Sequence, residues 1–167
     1  MIEREGYRFL PNMETNRCFG CGPANPGGLK MDFYSDGKTI VSWISVPGHL
    51  SGWNSLAHGG VVATMVDEVM GRAVIFLLKS LPMTKSIRID FIKPVYVGME
   101  LRVEGRIIEK RDREALVEAI ILDENGETFT RSEATFGLLS VESMNKRGAL
   151  TQDFVDLFAQ LSSMEII

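Results

Sequence analysis

Residues 58–78 read HGGVVATMVDEVMGRAVIFLL, and the prediction of the fold starts from this segment. From Gly59 to about Leu78, apolar residues recur at helical spacing and cover a broad arc at about 100° per residue. The pattern predicts one long helix that ends before Pro82. The arc consists of Val61, Val62, Met65, Val66, Val69, Ala73 and Phe76.

Asp67 lies outside this arc, on a stripe of the helix that is made mostly of small residues. Small side chains leave free volume above the stripe. The two glycines at the start of the helix, Gly59 and Gly60, offer unpaired N–H groups to a developing negative charge. A carboxylate, free volume and an anion-binding helix end together indicate acyl chemistry. The stripe contains Gly60, Ala63, Thr64, Asp67 and Gly71.

The composition is that of one compact domain, because the chain has 167 residues, of which 45% are hydrophobic and 24% charged. A net charge of −4 without a basic run argues against a nucleic-acid partner. No stretch approaches the roughly 20 apolar residues that cross a bilayer. The charged N-terminal sequence MIEREGYRFL lacks the apolar segment of a signal peptide. We therefore expect a cytoplasmic protein with no membrane partner.

The two cysteines, Cys18 and Cys21, have C-x-x-C spacing within a segment rich in glycine and proline. This spacing fits half of a zinc site, a redox pair, or two small residues in a turn. Zinc needs two further ligands, and the histidines, His49 and His58, lie far along the chain. A redox motif normally opens a helix, which the surrounding glycines and prolines do not favour. We expect a structural loop without a metal, and the metal and redox alternatives stay open.

Most of the remaining chain alternates in the manner of β-strands. Asp36-Gly37 is a hairpin turn, and Thr151 is positioned to cap a C-terminal helix. The order of the segments predicts an α+β fold, in which a curved antiparallel sheet wraps around the long helix. The predicted strands are 29–35, 38–45, 84–92, 100–110, 115–123 and 128–141, with a helix at 152–161. We divide the chain into a segment 1–28 that allows one helical turn, a domain 29–141 and a helical extension 142–167.

This element order, with HGGVVATMVDE (58–68) at the start of the helix, resembles the hotdog-fold thioesterases, especially the phenylacetate-degradation and 4-hydroxybenzoyl-CoA types. The likeness covers about residues 28–140 and includes IRIDFIKPVYVGMEL (87–101), which is similar to the family pattern T-x-x-I-x-I-x-F-x-x-P-V-x-x-G-x-x-L. CFGCGPANPGGL (18–29) also resembles a lead-in found in many uncharacterised members. The resemblance implies the hotdog fold and hydrolysis of an acyl-CoA thioester to the free acid and CoA, with no cofactor beyond the CoA of the substrate.

The resemblance implies that the catalytic acid is Asp67, nine residues after the motif histidine, acting as a general base on water or as a nucleophile. The Gly59 amide then polarises the thioester oxygen, with Gly60 and Gly71 beside the substrate. Glu68 is the weaker candidate acid, because Arg72 four residues later predicts an i,i+4 ion pair. We keep Glu68 as a substrate-side residue.

Three further residues receive roles from the same resemblance. His58 is expected to shape the turn through imidazole–backbone hydrogen bonds rather than to act as a base. Asn54 matches a polar position that holds the thioester or the water, although another alignment places that position on Gly52. Thr84 matches a serine or threonine that contacts the lytic water, in some arrangements from the other subunit, and an ordinary strand threonine is the alternative interpretation.

The resemblance also implies a homodimer or a dimer of dimers, because the family's active sites usually form between subunits. An unpaired sheet edge is in any case a ready site for another chain to pair. The phosphates of CoA need basic residues at the mouth of the pocket, and each candidate also suits a solvated surface. The candidates are Arg88, Lys93, Lys110, Arg111 and Arg113.

Two rival functions use the same fold. Dehydratases of this fold carry a histidine before Phe-Pro-Gly-His, whereas this chain has Ser45 before VPGH (46–49), which counts against dehydration or hydration of an acyl thioester. A non-catalytic acyl-CoA sensor is the second rival, and the acid at Asp67 argues against it. The sequence leaves open the acyl group, and whether the donor is CoA or an acyl-carrier protein.

Overall fold

In the computed structural model, which describes residues 6–148 and 150–164, one long helix packs against an antiparallel sheet of seven strands. The strands are β1 (Arg8–Leu10), β2 (Phe33–Ser35), β3 (Thr39–Ser45), β4 (Leu81–Phe91), β5 (Glu100–Lys110), β6 (Glu114–Asp123) and β7 (Thr128–Leu139). The helices are α1 (Gly59–Leu78), α2 (Val141–Asn145) and α3 (Gln152–Ser163), and a short 3₁₀ helix spans Gly48–Leu50. The strand order is β1-β2-β3-β5-β6-β7-β4. This is the predicted hotdog architecture.

The apolar arc of α1 forms the centre of the core. Each of its seven predicted residues is at most 5% exposed, and the helix contacts β3, β4, β5, β6 and β7. Apolar side chains from alternate positions of β5 and β6 face the helix, as expected for a sheet with one buried face. Register shifts interrupt three of the strand pairs, and such bulges bend strands. The sheet therefore covers a helix that is apolar over most of its surface.

Gly105 in β5 sets how closely α1 approaches the sheet. A Cβ atom at this position would lie 2.5 Å from Val69 Cγ1 and 3.2 Å from the Val69 carbonyl atoms. Valine has one strongly preferred rotamer in a helix, so it has little freedom to move aside. The absence of a side chain at Gly105 thus brings the backbones of α1 and β5 together.

Two segments differ from the sequence prediction. Residues 8–10 form a strand that pairs with β2 instead of a helical turn, and Phe9 contacts Tyr34 edge to face at 5.5 Å between ring centroids. Val141, predicted to end the last strand, begins α2, because Ser140 Oγ accepts the Ser143 N–H at 3.1 Å and caps the new helix. Both segments are too short for their apolar residues to show a repeating pattern in the sequence.

The sheet has β1 at one edge and β4 at the other. β4 begins earlier than predicted and includes Pro82, which an edge strand tolerates because its missing N–H breaks no ladder. This edge strand exposes large apolar side chains, namely Met83, Ile87 and Phe91. No helix in the described ranges is both long enough and apolar enough to span a membrane.

The C-terminal helix α3 packs against α1. Thr151 caps it as predicted, with Oγ1 accepting the Phe154 N–H at 3.3 Å. Leu157 and Leu161 are buried, and Lys79 Nζ donates to the Leu161 carbonyl at 2.7 Å. A cation at the end of a helix neutralises its partial negative charge, so Lys79 ties α3 to the end of α1.

We expect Gly105→Ala to destabilise the protein by about 1–3 kcal/mol, because the added methyl group overpacks the contact with Val69. Gly137→Ala is the matched control, since a Cβ there would make only ordinary contacts, the nearest at 3.6 Å. Urea unfolding measures both free energies. Equal stability of the two variants would contradict the close packing described for Gly105.

Candidate active site

Asp67 lies on a cavity of about 280 Å³ beside α1. Its carboxylate is partly buried, and Thr84 Oγ1 on β4 donates to Asp67 Oδ1 at 2.9 Å. Residues from the N-terminal loop, α1, β4, β7 and α3 close the walls. The walls contain Asn12, Met13, Asn16, Cys18, Cys21, Glu68, Gly71, Arg72, Ile75, Pro82, Phe136, Phe154 and Leu157.

Burial raises the pKa of Asp67 above its ordinary value. The hydrogen bond from Thr84 opposes this effect by stabilising the charged carboxylate, and the nearby Cys18 adds to the rise. The result is a carboxylate that is a stronger base than a solvated aspartate. A carboxylate with these properties is suited to accept a proton from water.

Glu68 faces the N-terminal loop instead of β4. A hydrogen bond of 3.0 Å joins Glu68 Oε1 to Cys18 Sγ, and burial raises the pKa of Glu68 to about 7. The loop comes this close because residue 20 is glycine: a Cβ atom on Gly20 would lie 2.2 Å from Glu68 Cγ.

The predicted ion pair between Glu68 and Arg72 is wrong. Among the described residues, the two side chains form no salt bridge within 4.0 Å. Arg72 is buried, its guanidinium lies 4.7 Å from the centre of the Phe33 ring, and Nη2 donates to Cys21 Sγ at 3.7 Å. The i,i+4 spacing is therefore overridden by packing against β2 and the cysteine loop.

The two thiols share a hydrogen bond that separates their pKa values. The hydrogen bond from Cys21 lowers the pKa of Cys18 to about 4, whereas the same bond and burial raise the pKa of Cys21. Backbone N–H groups of Gly20 and Cys21 also lower the pKa of Cys18. Neither Cys18 nor Cys21 forms a disulfide.

The start of α1, where the sequence predicts an oxyanion-binding corner, is capped by a side chain. His58 is the N-cap, and its Nδ1 accepts the Gly60 N–H at 2.9 Å, which is the predicted imidazole–backbone hydrogen bond. The His58 carbonyl accepts the N–H groups of Val61 and Val62. In the described part of the chain, the Gly59 N–H has no acceptor. Gly59 lines a separate depression of about 210 Å³, together with Phe91, Ile92 and Lys93.

The predicted site residues therefore fall into separate groups within one chain. Asp67, Glu68, Gly71 and Thr84 share the cavity, whereas Gly59 lines the second depression. The other predicted residues, His58, Asn54, Gly60 and Arg88, line neither.

Asn54 and Arg88 both lie on the surface. Asn54 is exposed in the loop before α1, with a left-handed backbone (φ 47°). Arg88 is exposed on β4 and pairs with Asp90 at 3.3 Å.

Sequence reasoning missed that Cys18, Cys21 and Asn16 lie beside Glu68. The sequence predicts a structural loop without a metal for these cysteines, and Gly20, which allows the loop to pack on α1, is the available signal.

Comparisons with known proteins agree with this fold. A family model described as the thioesterase superfamily matches residues 54–130. Among curated proteins, acyl-coenzyme A thioesterase THEM4 of Xenopus laevis is 24% identical over 104 residues, which are 62% of this chain and 46% of that protein. The match thus spans less than half the length of that relative.

Several solved structures superpose on this chain. One is smu.793 from Streptococcus mutans bound to acetyl CoA, with a TM-score of 0.62, 19% identity, and coverage of 66% of this chain and 89% of that one. Another is the E. coli PaaI protein from the phenylacetic acid degradation operon, with a TM-score of 0.61, 16% identity, and coverage of 67% and 81%. A third is a hypothetical thioesterase with coenzyme A from Streptococcus pneumoniae, with a TM-score of 0.57, 19% identity, and coverage of 60% and 81%. At these identities the likeness concerns the fold. The chain therefore has the hotdog fold, and its residues 54–130 match the thioesterase superfamily model.

Proposed function

We propose that this protein hydrolyses an acyl-CoA thioester to the free acid and CoA. The observation that carries the proposal is the carboxylate of Asp67, held by Thr84 in a cavity, on the helix whose first amide, Gly59, has no acceptor in the described residues. The relative from Xenopus is an acyl-CoA thioesterase, and two of the solved structures contain acetyl CoA or CoA, which supports this substrate class.

The proposed catalytic groups cannot meet within one chain. Gly59 and Asp67 are eight positions apart in α1, and eight residues of helix rise about 12 Å. A hydrogen-bond donor and a general base must each lie within about 3 Å of the reacting atoms. A single subunit therefore cannot bring both groups to the same thioester carbonyl.

The edge strand β4 offers a way to combine two subunits. It runs antiparallel to α1, because Thr84 contacts Asp67 while the Phe91 ring lies 3.9 Å from the Cβ position of Gly59. If two copies pair their β4 strands in antiparallel fashion about a two-fold axis, the Gly59 end of one copy meets the Asp67 end of the other. We propose this homodimer, with two equivalent sites. The pairing also covers the exposed apolar side chains of β4.

In the proposed reaction, Asp67 and the Gly59 amide each have one role. Asp67 removes a proton from a water molecule, whose oxygen attacks the thioester carbonyl carbon, and the Gly59 N–H of the other copy stabilises the oxyanion. Collapse of the tetrahedral intermediate breaks the C–S bond, and the CoA thiolate takes up the proton. In the alternative, Asp67 attacks the carbonyl carbon directly, the C–S bond breaks and the CoA thiolate leaves. Water then hydrolyses the mixed anhydride, which restores Asp67, releases the free acid and supplies the proton to the thiolate.

We also propose where the two halves of the substrate lie. We propose that the acyl group enters the cavity along Gly71. The walls of this cavity include the apolar side chains of Ile75 and Phe136. Lys93 lines the depression at Gly59 and is placed to contact a CoA phosphate, with Arg88 exposed on the neighbouring strand. A volume of about 280 Å³ limits the acyl group that one subunit's cavity accepts.

We expect Asp67→Asn to lower kcat by about 10²–10⁴-fold with little change in KM, because the charge acts in the transition state. The measurement is thiol release from a panel of acyl-CoA substrates. Asp112→Asn, the same change in a fully exposed turn, is the control and should leave kcat unchanged. Full activity of Asp67→Asn would exclude Asp67 as the base. A wild-type protein that binds acyl-CoA but hydrolyses none of the panel would instead favour the sensor function.

Gly59→Pro removes the proposed oxyanion donor and leaves the helix intact. Proline is favoured at the first helical position, and His58 already has the extended backbone (ψ 136°) that a following proline requires. We expect kcat to fall by about 10²–10³-fold. Gly59→Ala keeps the N–H and has room for its methyl group, so it should cost far less. If both variants lose the same activity, the amide is not the donor.

The same variants test the two-subunit site. A mixture of Gly59→Pro and Asp67→Asn subunits, unfolded together and refolded, should regain activity, because a mixed dimer contains one site with both groups intact. Sedimentation measures the dimer. A stable monomer at micromolar concentration, or no recovery in a dimer shown to be mixed, would contradict the shared site.

Thr84→Val should raise the pKa of Asp67 further, because the hydroxyl donor stabilises the charged carboxylate. A carbon-detected NMR titration of the carboxyl group measures this pKa. Thr64→Val is the matched control, since its Oγ1 donates to the Gly60 carbonyl instead. An unchanged pKa in Thr84→Val would show that the hydrogen bond does not form in solution.

A further inference from the structure

The N-terminal loop and α1 bring together three metal-ligating groups that hydrolysis does not use. One ligand atom each from Cys18, Cys21 and Glu68 lies within 4.8 Å of the others. The sequence offered the cysteine pair only distant histidines, whereas the fold supplies a carboxylate 47 positions after Cys21. We propose that these three side chains bind a zinc ion.

The loop has the features of a built site. A Cβ atom on Gly22 would lie 2.4 Å from the Cys18 nitrogen, so only glycine allows this tight turn. Asn16 Oδ1 accepts the Cys18 N–H at 2.9 Å, and Asn16 Nδ2 donates to Cys21 Sγ at 3.5 Å. Asn12 Nδ2 donates to the Cys21 carbonyl at 2.6 Å. These contacts fix both sulfur atoms on the side of the loop that faces Glu68.

The charges around the cluster match a divalent cation. With zinc bound, two thiolates and a carboxylate would carry three negative charges, and the buried guanidinium of Arg72, which donates to Cys21 Sγ at 3.7 Å, would balance one of them. The remaining two equal the charge of zinc. Thiolates favour zinc over magnesium or calcium, which prefer oxygen ligands alone. The hydrogen bonds from Arg72 and Asn16 to Cys21 are the kind of outer contact that orients a metal ligand.

Three protein ligands leave one position of a tetrahedral zinc ion for water. All three line the cavity beside Asp67, so a water molecule has access. The ion would join the loop to α1 at the residue next to Asp67 and thereby fix one wall of the cavity. This role is separate from thioester hydrolysis, and each proposal can fail without the other.

Elemental analysis of the whole protein, purified with zinc and dialysed against metal-free buffer, tests the proposal. We expect about one zinc per chain, removed by a strong chelator with a fall in melting temperature and restored by added zinc. Cobalt(II) added to the chelated protein should give the intense thiolate-to-cobalt absorption of a tetrahedral sulfur site.

Glu68→Gln, which keeps the size of the side chain, should weaken zinc binding at least about tenfold, and Cys18→Ser should abolish the cobalt signal. Glu109→Gln, an exposed acid on β5, should change neither.

Two results would overturn the proposal. One is a wild-type protein that takes up neither zinc nor cobalt when both thiols are reduced, or that is isolated with a Cys18–Cys21 disulfide and cannot bind zinc after reduction. The other is zinc binding of equal strength in the wild type and in Glu68→Gln and Cys18→Ser, which would mean adventitious binding elsewhere. If Cys18→Ser does not fold, the cobalt spectrum of the wild type and the affinity of Glu68→Gln decide.

Discussion

The structure depends on the close packing of α1 against β5, where Gly105 lets the helix backbone at Val69 approach the sheet. A helix that is apolar over most of its surface must be covered on nearly all sides. The sheet covers the broad arc, and the N-terminal loop and α3 cover much of what remains. Between these covering segments lies the cavity beside Asp67 and Gly71.

The position of this space explains why two neighbouring acids have different surroundings. Consecutive residues of a helix point about 100° apart, so Asp67 faces the edge strand and Glu68 faces the cysteine loop. Burial raises the pKa of both carboxyl groups. The hydroxyl of Thr84 partly offsets this rise for Asp67, whereas the pKa of Glu68 reaches about 7. The helix thus presents one acid to the proposed chemistry and the other to the proposed metal site.

The parts of this fold that could be predicted from the sequence are those with a long period or a local signal. The bounds of α1 and of β5 follow from periodic segments, and the Thr151 cap from one side chain at a helix start. β1 has three residues, which are too few to show the alternation of apolar and polar residues that indicates a strand. The predicted partner of Glu68 is wrong because helical spacing identifies only neighbours in sequence. Cys18 is 50 positions away, and Arg72 packs on Phe33 instead. The sequence names Asp67 as a candidate acid, and this stays a prediction, whereas the surroundings of Asp67 depend on tertiary packing.

Because β4 runs antiparallel to α1, the proposed pairing of two copies relates two features that are unconnected in a single chain. One is the separation of about 12 Å along the helix between the Gly59 amide and the Asp67 carboxylate. The other is an edge strand that exposes Ile87 and Phe91, an arrangement that proteins normally avoid. The proposed antiparallel pairing of two β4 strands covers the apolar edge and reverses the direction of the second helix, so that each amide faces the other copy's carboxylate. The burial of apolar surface that stabilises the dimer would then also assemble the catalytic groups, and the rigid packing of Val69 on Gly105 would hold both helices at the depth the site requires.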